Sequence, residues 1–282
     1  MNTEMVNLSR RDVVKLGGAA GLATAVVMLA GCSSNSGGSS SSASSSAASS
    51  SASPSAAAAS LDGKTLNIYC GAGMKEPFAE TAQNFQDETG CTMNVTYANA
   101  AQIQTQIETS QSGDIWIAGS TDEAERVSSL TAESVNLVKH IPVIIVPKDN
   151  PKNVQSLADL ANVDTLLIGD PDSVAIGKVA KNALTKAGIW DAVADKVTTT
   201  TTAPQISSAI ANGQGDAGIV WKENASDNVT IVGQADMDKF IKVIPAVVLT
   251  TSQDKDTVDD FVDYLESSKA QDVWTKHGYE IA

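Results

Sequence analysis

The chain has 282 residues and a formal net charge of −14, from 33 acidic against 19 basic residues. So acidic a body lacks the electrostatic footprint for nucleic acid and the basic patches that hold proteins to anionic membranes. Any anion it binds must be held by local donors against an unfavourable long-range field.

Residues 1–31 read as an export signal. Arg10, Arg11 and Lys15 form a basic n-region, and the apolar run from Leu16 to Ala30 is shorter than the ~20 residues a membrane-spanning helix needs. Ser9-Arg10-Arg11-Asp12-Val13-Val14-Lys15 resembles a twin-arginine signal, with Val13 and Val14 where bulkier apolar residues are usual. Leu29-Ala30-Gly31-Cys32 has the form of a bacterial lipobox, which makes Cys32 the lipidated first residue of the exported chain. Residues 33–60 are almost entirely Ser, Ala and Gly. They can bury no core and are expected to be a disordered tether spanning roughly 30 Å. The signal carries three basic residues (Arg10, Arg11, Lys15) and two acidic ones (Glu4, Asp12), so its removal leaves about −15 on the rest.

The globular body, about 220 residues from Leu61, is long enough for one large domain or two lobes. Leu66 to Phe78 reads as a strand, a loop in which Gly71 and Gly73 free the backbone to turn, and the first turn of a helix with Pro77. Met74, Phe78, Ala82 and Phe85 share one face of that helix, and Gly90 caps its end. A loop feeding a helix N-terminus offers free N–H groups, so this one is either an anion site or a plain tight turn.

A second strand from Cys91 to Ala98, the loop Ala98-Asn99-Ala100-Ala101 and a helix with Ile103 and Ile107 inward repeat the unit. Gly113 to Ala118 is a third, buried strand, and Thr121-Asp122-Glu123-Ala124 opens a helix with capping residues. The alternation predicts a parallel sheet with helices on both faces and ligands beyond the carboxyl ends of its strands, where the three small-residue loops sit. Parallel pairing also puts Cys70 and Cys91 at opposite ends of the sheet, about 20 Å apart. That is too far for a disulfide, so both are expected as buried free thiols.

Ile141-Pro142-Val143-Ile144-Ile145-Val146 and Ile244-Pro245-Ala246-Val247-Val248-Leu249 are alike, each an apolar strand entered through Ile-Pro. Between them run a strand at Thr165–Ile168, the loop Gly169–Gly177, a helix from Lys178 to Ala187, a helix from Ala203 to Asn212 and a strand ending in Trp221. The paired Ile-Pro strands are read as two crossings of a hinge. The first lobe is then 61–146 and 243–282, the second 147–242, with the ligand cleft between them. A helix with Val258, Phe261, Val262 and Leu265 inward closes the first lobe.

In this order and spacing, five stretches carry a family likeness: Cys70-Gly-Ala-Gly-Met74, Gly113-Asp114-Ile-Trp-Ile-Ala118, Gly169-Asp170-Pro171 with Gly177, Ala217-Gly-Ile-Val-Trp221, and Tyr264-Leu265 followed by Gly278-Tyr279. The body resembles the periplasmic molybdate- and tungstate-binding proteins of ABC importers, type-2 solute-binding proteins. The resemblance implies a two-lobed α/β fold, no cofactor, a monomer that partners an ABC permease, and attachment to the membrane only through the lipid. It also implies a tetrahedral oxyanion held by neutral donors from both lobes. Carried over, the contacts fall on the N–H groups of Gly73, Ala100, Ile176 and Ala203, and on Trp221 where a tyrosine is usual. Gly73 and Ala100 stand where many members have serines. Ala72, Lys75, Asn99 and Gln102 are the residues near enough in sequence to compensate.

Other assignments compete. Lys75 also reads as a solvated first-turn residue and Trp221 as plain core, while Asp114 and Asp170 read as structural caps. His140 and His277 stand alone in the sequence, without a second metal ligand nearby. No Ser-His-Asp set, P-loop or zinc spacing is present, so an enzyme is not expected. The same fold binding another small anion or an organic solute, or serving as a sensor lipoprotein, is the alternative.

Overall fold

The computed structural model describes Ser60–Ala282; the export signal, Cys32 and the Ser/Ala tether lie outside the described residues. In chain order the elements are β1 (Thr65–Gly71), α1 (Lys75–Thr89), β2 (Thr92–Ala98), α2 (Ala100–Ser110), β3 (Ile115–Ile117), α3 (Thr121–Glu125), β4 (Thr131–His140), β5 (Pro142–Pro147) and β6 (Leu166–Gly169). They continue with α4 (Ala175–Lys186), α5 (Trp190–Val193), β7 (Val197–Thr200), α6 (Ala203–Ala211), β8 (Ala217–Trp221), β9 (Val229–Val232), α7 (Gln234–Met237), β10 (Lys242–Leu249), α8 (Lys255–Glu266), α9 (Ser268–Lys276) and β11 (Glu280–Ile281).

Two sheets result, ordered β11-β4-β10-β3-β1-β2 and β7-β6-β8-β5-β9. In each, the strands that feed helices are parallel: β1 with β2 and β3, and β6 with β7 and β8. The mixed two-lobed α/β architecture expected from the sequence is present. Cys70 lies opposite Tyr97 and Thr65 opposite Thr92, so the two cysteines are at opposite ends of the paired strands, both free and buried.

The lobe boundary differs from expectation. Residues 142–147 pair with β8 and β9 in the second sheet, so the first crossing is at Ile141 rather than after Val146. β10 belongs to the first sheet from Lys242 onward. The two Ile-Pro runs look alike because both strands are buried; which sheet they join is decided by their partners. The ten-residue β4 was not visible in the sequence. It is an antiparallel strand with exposed residues along much of its length, and it lacks a continuous apolar run.

Period-2 alternation divides the first lobe's core. Leu66, Ile68 and Cys70 of β1 and Ile115 and Ile117 of β3 face Phe78, Phe85, Phe261 and Trp274. Tyr69 and Trp116 point to the other face, against Ile103 and Ile107 of α2. The second lobe closes its own core around β5, β6, β8, α4 and α6. Phe261 is fully buried, with its ring 4.8 Å from Phe85 and 6.3 Å from Phe78, both edge-on. Phe261→Ala is expected to destabilise the protein by about 3–5 kcal/mol. Urea denaturation should show a lower midpoint at an unchanged slope.

α9 is tied to α1 through Glu80, which accepts from Lys276 Nζ at 2.7 Å and pairs with His277 Nε2 at 2.9 Å. Hydrogen bonds from Lys276 and His277 hold the Glu80 carboxyl below its ordinary 4.5. A lowered folded-state value stabilises above the ordinary value and is lost as pH falls through the lowered one. The melting-temperature curves of Glu80→Gln and the parent should therefore separate above about pH 4.5 and converge in more acid solution.

Candidate functional site

The strand registers locate the site. Ile117, the end of β3, is opposite Ala246 of β10, and Lys242 at the start of β10 is opposite His140 at the end of β4. Pro142, the first residue of β5, is opposite Trp221, the last of β8. The carboxyl ends of the parallel strands in both sheets therefore meet at the Ile141 crossing. Lys222 N–H donates to Ile141 O at 2.8 Å, and Lys242 pairs with Asp122. The loops after β1, β2, β6 and β7 border the cleft that this juxtaposition creates.

The first loop runs from Gly71 through a 3-10 turn, Ala72–Met74, and α1 begins at Lys75. Neither Gly71 nor Gly73 has a positive φ, which corrects the expectation that glycine freedom makes this turn. What Gly73 provides is space: a Cβ there would have nothing within 4 Å. Lys75 Nζ lies 5.8 Å from the centre of the Tyr97 ring, a cation–π contact. The Tyr97 hydroxyl is pushed up to about 12, chiefly by burial.

At the second loop, Asn99 Oδ1 accepts from Gln102 N at 3.0 Å and Gln102 Oε1 accepts from Asn99 N at 3.4 Å. This reciprocal capping box engages the carbonyl oxygens of both side chains. It leaves the first-turn N–H groups of Ala100 and Ala101 without an acceptor in the helix.

The third small-residue loop is different. Ser120 Oγ accepts from Glu123 N at 3.3 Å, and the Glu123 carboxylate accepts from Gly119 N at 3.0 Å. A side chain of the protein itself thus fills the position expected to be open. Burial raises the Glu123 carboxyl, opposed by the Gly119 N–H and by the charges of His140, Arg126 and Lys178.

In the second lobe α4 starts at Ala175, three residues before the expected Lys178, with Ile176 in its first turn and buried. Gly177 explains the early start. A Cβ there would lie 2.2 Å from Gly169 O and 2.4 Å from Asp170 O, so only glycine lets the helix abut the end of β6. Asp170 Oδ1 accepts from the N–H groups of Asp172 and Ser173 at 2.8 and 3.1 Å, which holds its carboxyl low and shapes the loop. α6 starts at Ala203, with Thr202 as N-cap and Pro204 in the first turn. Neither α4 nor α6 has a side-chain cap.

Trp221 ends β8 at 7% exposure, its indole stacked on His140 with centroids 3.7 Å apart and planes at 21°. Asp114 accepts from Asn67 N at 2.8 Å and Ser252 Oγ at 2.7 Å, a structural role as expected. The histidines are not isolated: His140 pairs with Glu223 and His277 with Glu80.

The first and second loops therefore bring Gly73 and Ala100 to the carboxyl edge of one sheet, and α4 and α6 bring Ile176 and Ala203 to that of the other. Thr202, the last of five consecutive threonines at 198–202, is the N-cap of α6 and makes no side-chain capping bond. Among the described residues no cluster of His, Cys, Asp and Glu could hold a metal.

A helix start open toward a cleft, with no acidic group in the first turns of α4 and α6, suits an anion. Residues 66–280 match the model of the bacterial extracellular solute-binding proteins. The chain belongs to that family. A Bacillus subtilis protein named as an ABC transporter substrate-binding lipoprotein, YvgL, is 28% identical over 223 residues, covering 76% of this chain and 86% of the relative. The Escherichia coli molybdate-binding protein ModA is 24% identical over 237 residues, covering 79% and 91%. Among solved structures, the substrate-binding domain of a Clostridium difficile protein assigned to molybdenum ABC transport superposes with a TM-score of 0.67 at 24% identity, covering 77% of this chain and 99% of that one.

Within this family member, Gly177→Ala is expected to displace the first turn of α4, because backbone oxygens block the added methyl. Its melting temperature should fall by several degrees, as for a loss of about 1–3 kcal/mol from strain in a packed site. Thermal denaturation followed by circular dichroism checks this.

Proposed function

We propose that this protein is the extracytoplasmic solute-binding subunit of an ABC importer, that it captures molybdate or tungstate between its lobes, and that it delivers the ion to a membrane permease. The observation that carries the reading is the meeting of four helix starts, those following β1, β2, β6 and β7, at the facing carboxyl edges of two sheets. In this reading the N–H groups of Gly73, Ala100, Ile176 and Ala203 and the indole N–H of Trp221 point neutral donors at the oxyanion. Ala72 and Lys75 flank the first loop, and Asn99 and Gln102 order the second. Export by residues 1–31, a lipid on Cys32 and a monomeric body complete the proposal. The relatives' names support the ABC importer and the oxyanion; the reading of Cys32 rests on the Leu29-Ala30-Gly31-Cys32 motif.

A second reading is a different small anion or an organic solute in the same cleft. The open space at Gly73, together with Ala at position 100, favours it. Hydrogen bonds to a charged group contribute about 1.5–3 kcal/mol each, so two absent hydroxyls matter.

Calorimetric titration of the purified protein with molybdate, tungstate, sulfate and phosphate decides between them. Heat with molybdate and tungstate supports the first reading, and silence from all four ions removes it. Gly73→Ser restores a hydroxyl into free space and is expected to tighten molybdate binding about 10- to 100-fold. Because the body is strongly acidic, added sodium chloride should speed association with the anion, measured by stopped-flow mixing.

A further inference from the structure

A buried polar cluster sits behind Trp221, outside the ring of proposed donors. His140 Nε2 lies 3.0 Å from Glu223 Oε1, and the two side chains are only 11% and 6% exposed. The His140 ring carries the Trp221 indole on its face. Tyr279 is buried 6.1 Å from the His140 ring and edge-on to Trp274 at 5.1 Å. Its hydroxyl faces Glu223, and burial with that carboxylate pushes its ionisation far above the ordinary range. Gly278, at φ +87, lets the C-terminal segment come close; a Cβ there would lie 3.2 Å from Glu223 Cα. Lys222 and Glu280 pair alongside.

Three pieces of chain meet in this cluster. His140 is the last residue of β4 in the first sheet, Trp221 is the last of β8 in the second, and Tyr279 precedes β11, which pairs back onto β4. The His140–Trp221 stack therefore bridges the lobes at the crossing. His140 and Tyr279, the groups that face the Glu223 carboxyl, both come from the first lobe's own elements. α3 adds the Glu123 carboxyl within electrostatic reach of His140.

We propose that Glu223 is a positioning residue: through His140 it fixes the plane of the Trp221 indole at the cleft edge, and so sets the second lobe's side-chain contribution to ligand binding without touching the ligand. This rests on the reading of Trp221 as a ligand contact. It also makes the C-terminal Gly278–Glu280 segment part of the hinge rather than a trailing end. Relative motion of the lobes must slide or part the two stacked rings, so the stack belongs to one hinge angle.

The test is a double-mutant cycle on the purified protein, with molybdate as the probe and indole emission as a second readout. Glu223→Gln keeps the volume and removes the charge. It is expected to weaken molybdate binding about tenfold in the parent and to have little effect in a Trp221→Phe background, because coupled residues are non-additive. In ligand-free protein it should shift the part of the emission that Trp221→Phe removes. Equal losses in both backgrounds, or an unchanged Trp221 emission, overturn the proposal. If the emission shifts but the parent binds none of the four oxyanions, the positioning role stands and the oxyanion reading fails. Should Glu223→Gln not fold, Tyr279→Phe keeps the His140–Glu223 pair and removes one group facing the carboxylate. It is expected to show the same pattern at smaller amplitude, and no Trp221 emission change there overturns the proposal as well.

Discussion

The first N–H groups of a helix have no acceptor within it, and where they lie in a fold decides what they do. Here α8 begins beyond the carboxyl end of β10, at the edge of the first sheet away from the crossing, and Asp254 caps it by accepting from Thr257 N. α1, α4 and α6 begin at the crossing edges and have no side-chain cap. α2 begins there too, with a cap that reaches the N–H of Gln102 and leaves the two before it. The division follows from topology. Parallel strands send all their following helices to one edge, and the antiparallel strands β5 and β10 turn the two such edges toward each other.

The exception is as informative as the rule. α3 also starts at the crossing edge, yet Ser120 and Glu123 satisfy its start and the Gly119 N–H. A carboxylate of the protein itself already occupies this position, so the proposed anion falls to the other loops. Glu123 also places a half-buried carboxyl beside the crossing in a chain whose net charge already repels anions. Affinity for an anion must then come from short-range donors, whose contribution survives in a poorly solvated cleft, and not from the long-range field. Hydroxyls at 73 and 100 would add to those donors, and neither position has one. In the proposed reading the donors at 73, 100, 176 and 203 are backbone groups, which no substitution other than proline removes, and the Trp221 indole stands beside them.

Much of this was legible in the residues. Periodicity placed α1, α2, α4, α6 and α8 within a few residues, and the parallel reading of β1 and β2 was enough to separate Cys70 from Cys91. Where strands and histidines were misread, the missing quantity was a partner. β4 is too polar to be seen as a strand alone; β10 and β11 make it one. β5 and β10 carry nearly the same motif and join different sheets. His140 and His277 looked solitary because Glu223 and Glu80 lie 83 and 197 residues away in the chain.

The sequence by itself determined the local units: strands, their helices, and the small-residue loops joining them. These depend on side-chain period and on the chemistry of neighbouring residues, both written in the order of the chain. Only the tertiary structure decided which loops stay open, that Gly73 supplies room rather than a turn, and that a histidine, a glutamate and a tyrosine converge behind Trp221. Those outcomes depend on contacts between distant segments, and one residue of strand register or one backbone oxygen 2.2 Å from a would-be methyl at Gly177 settles them.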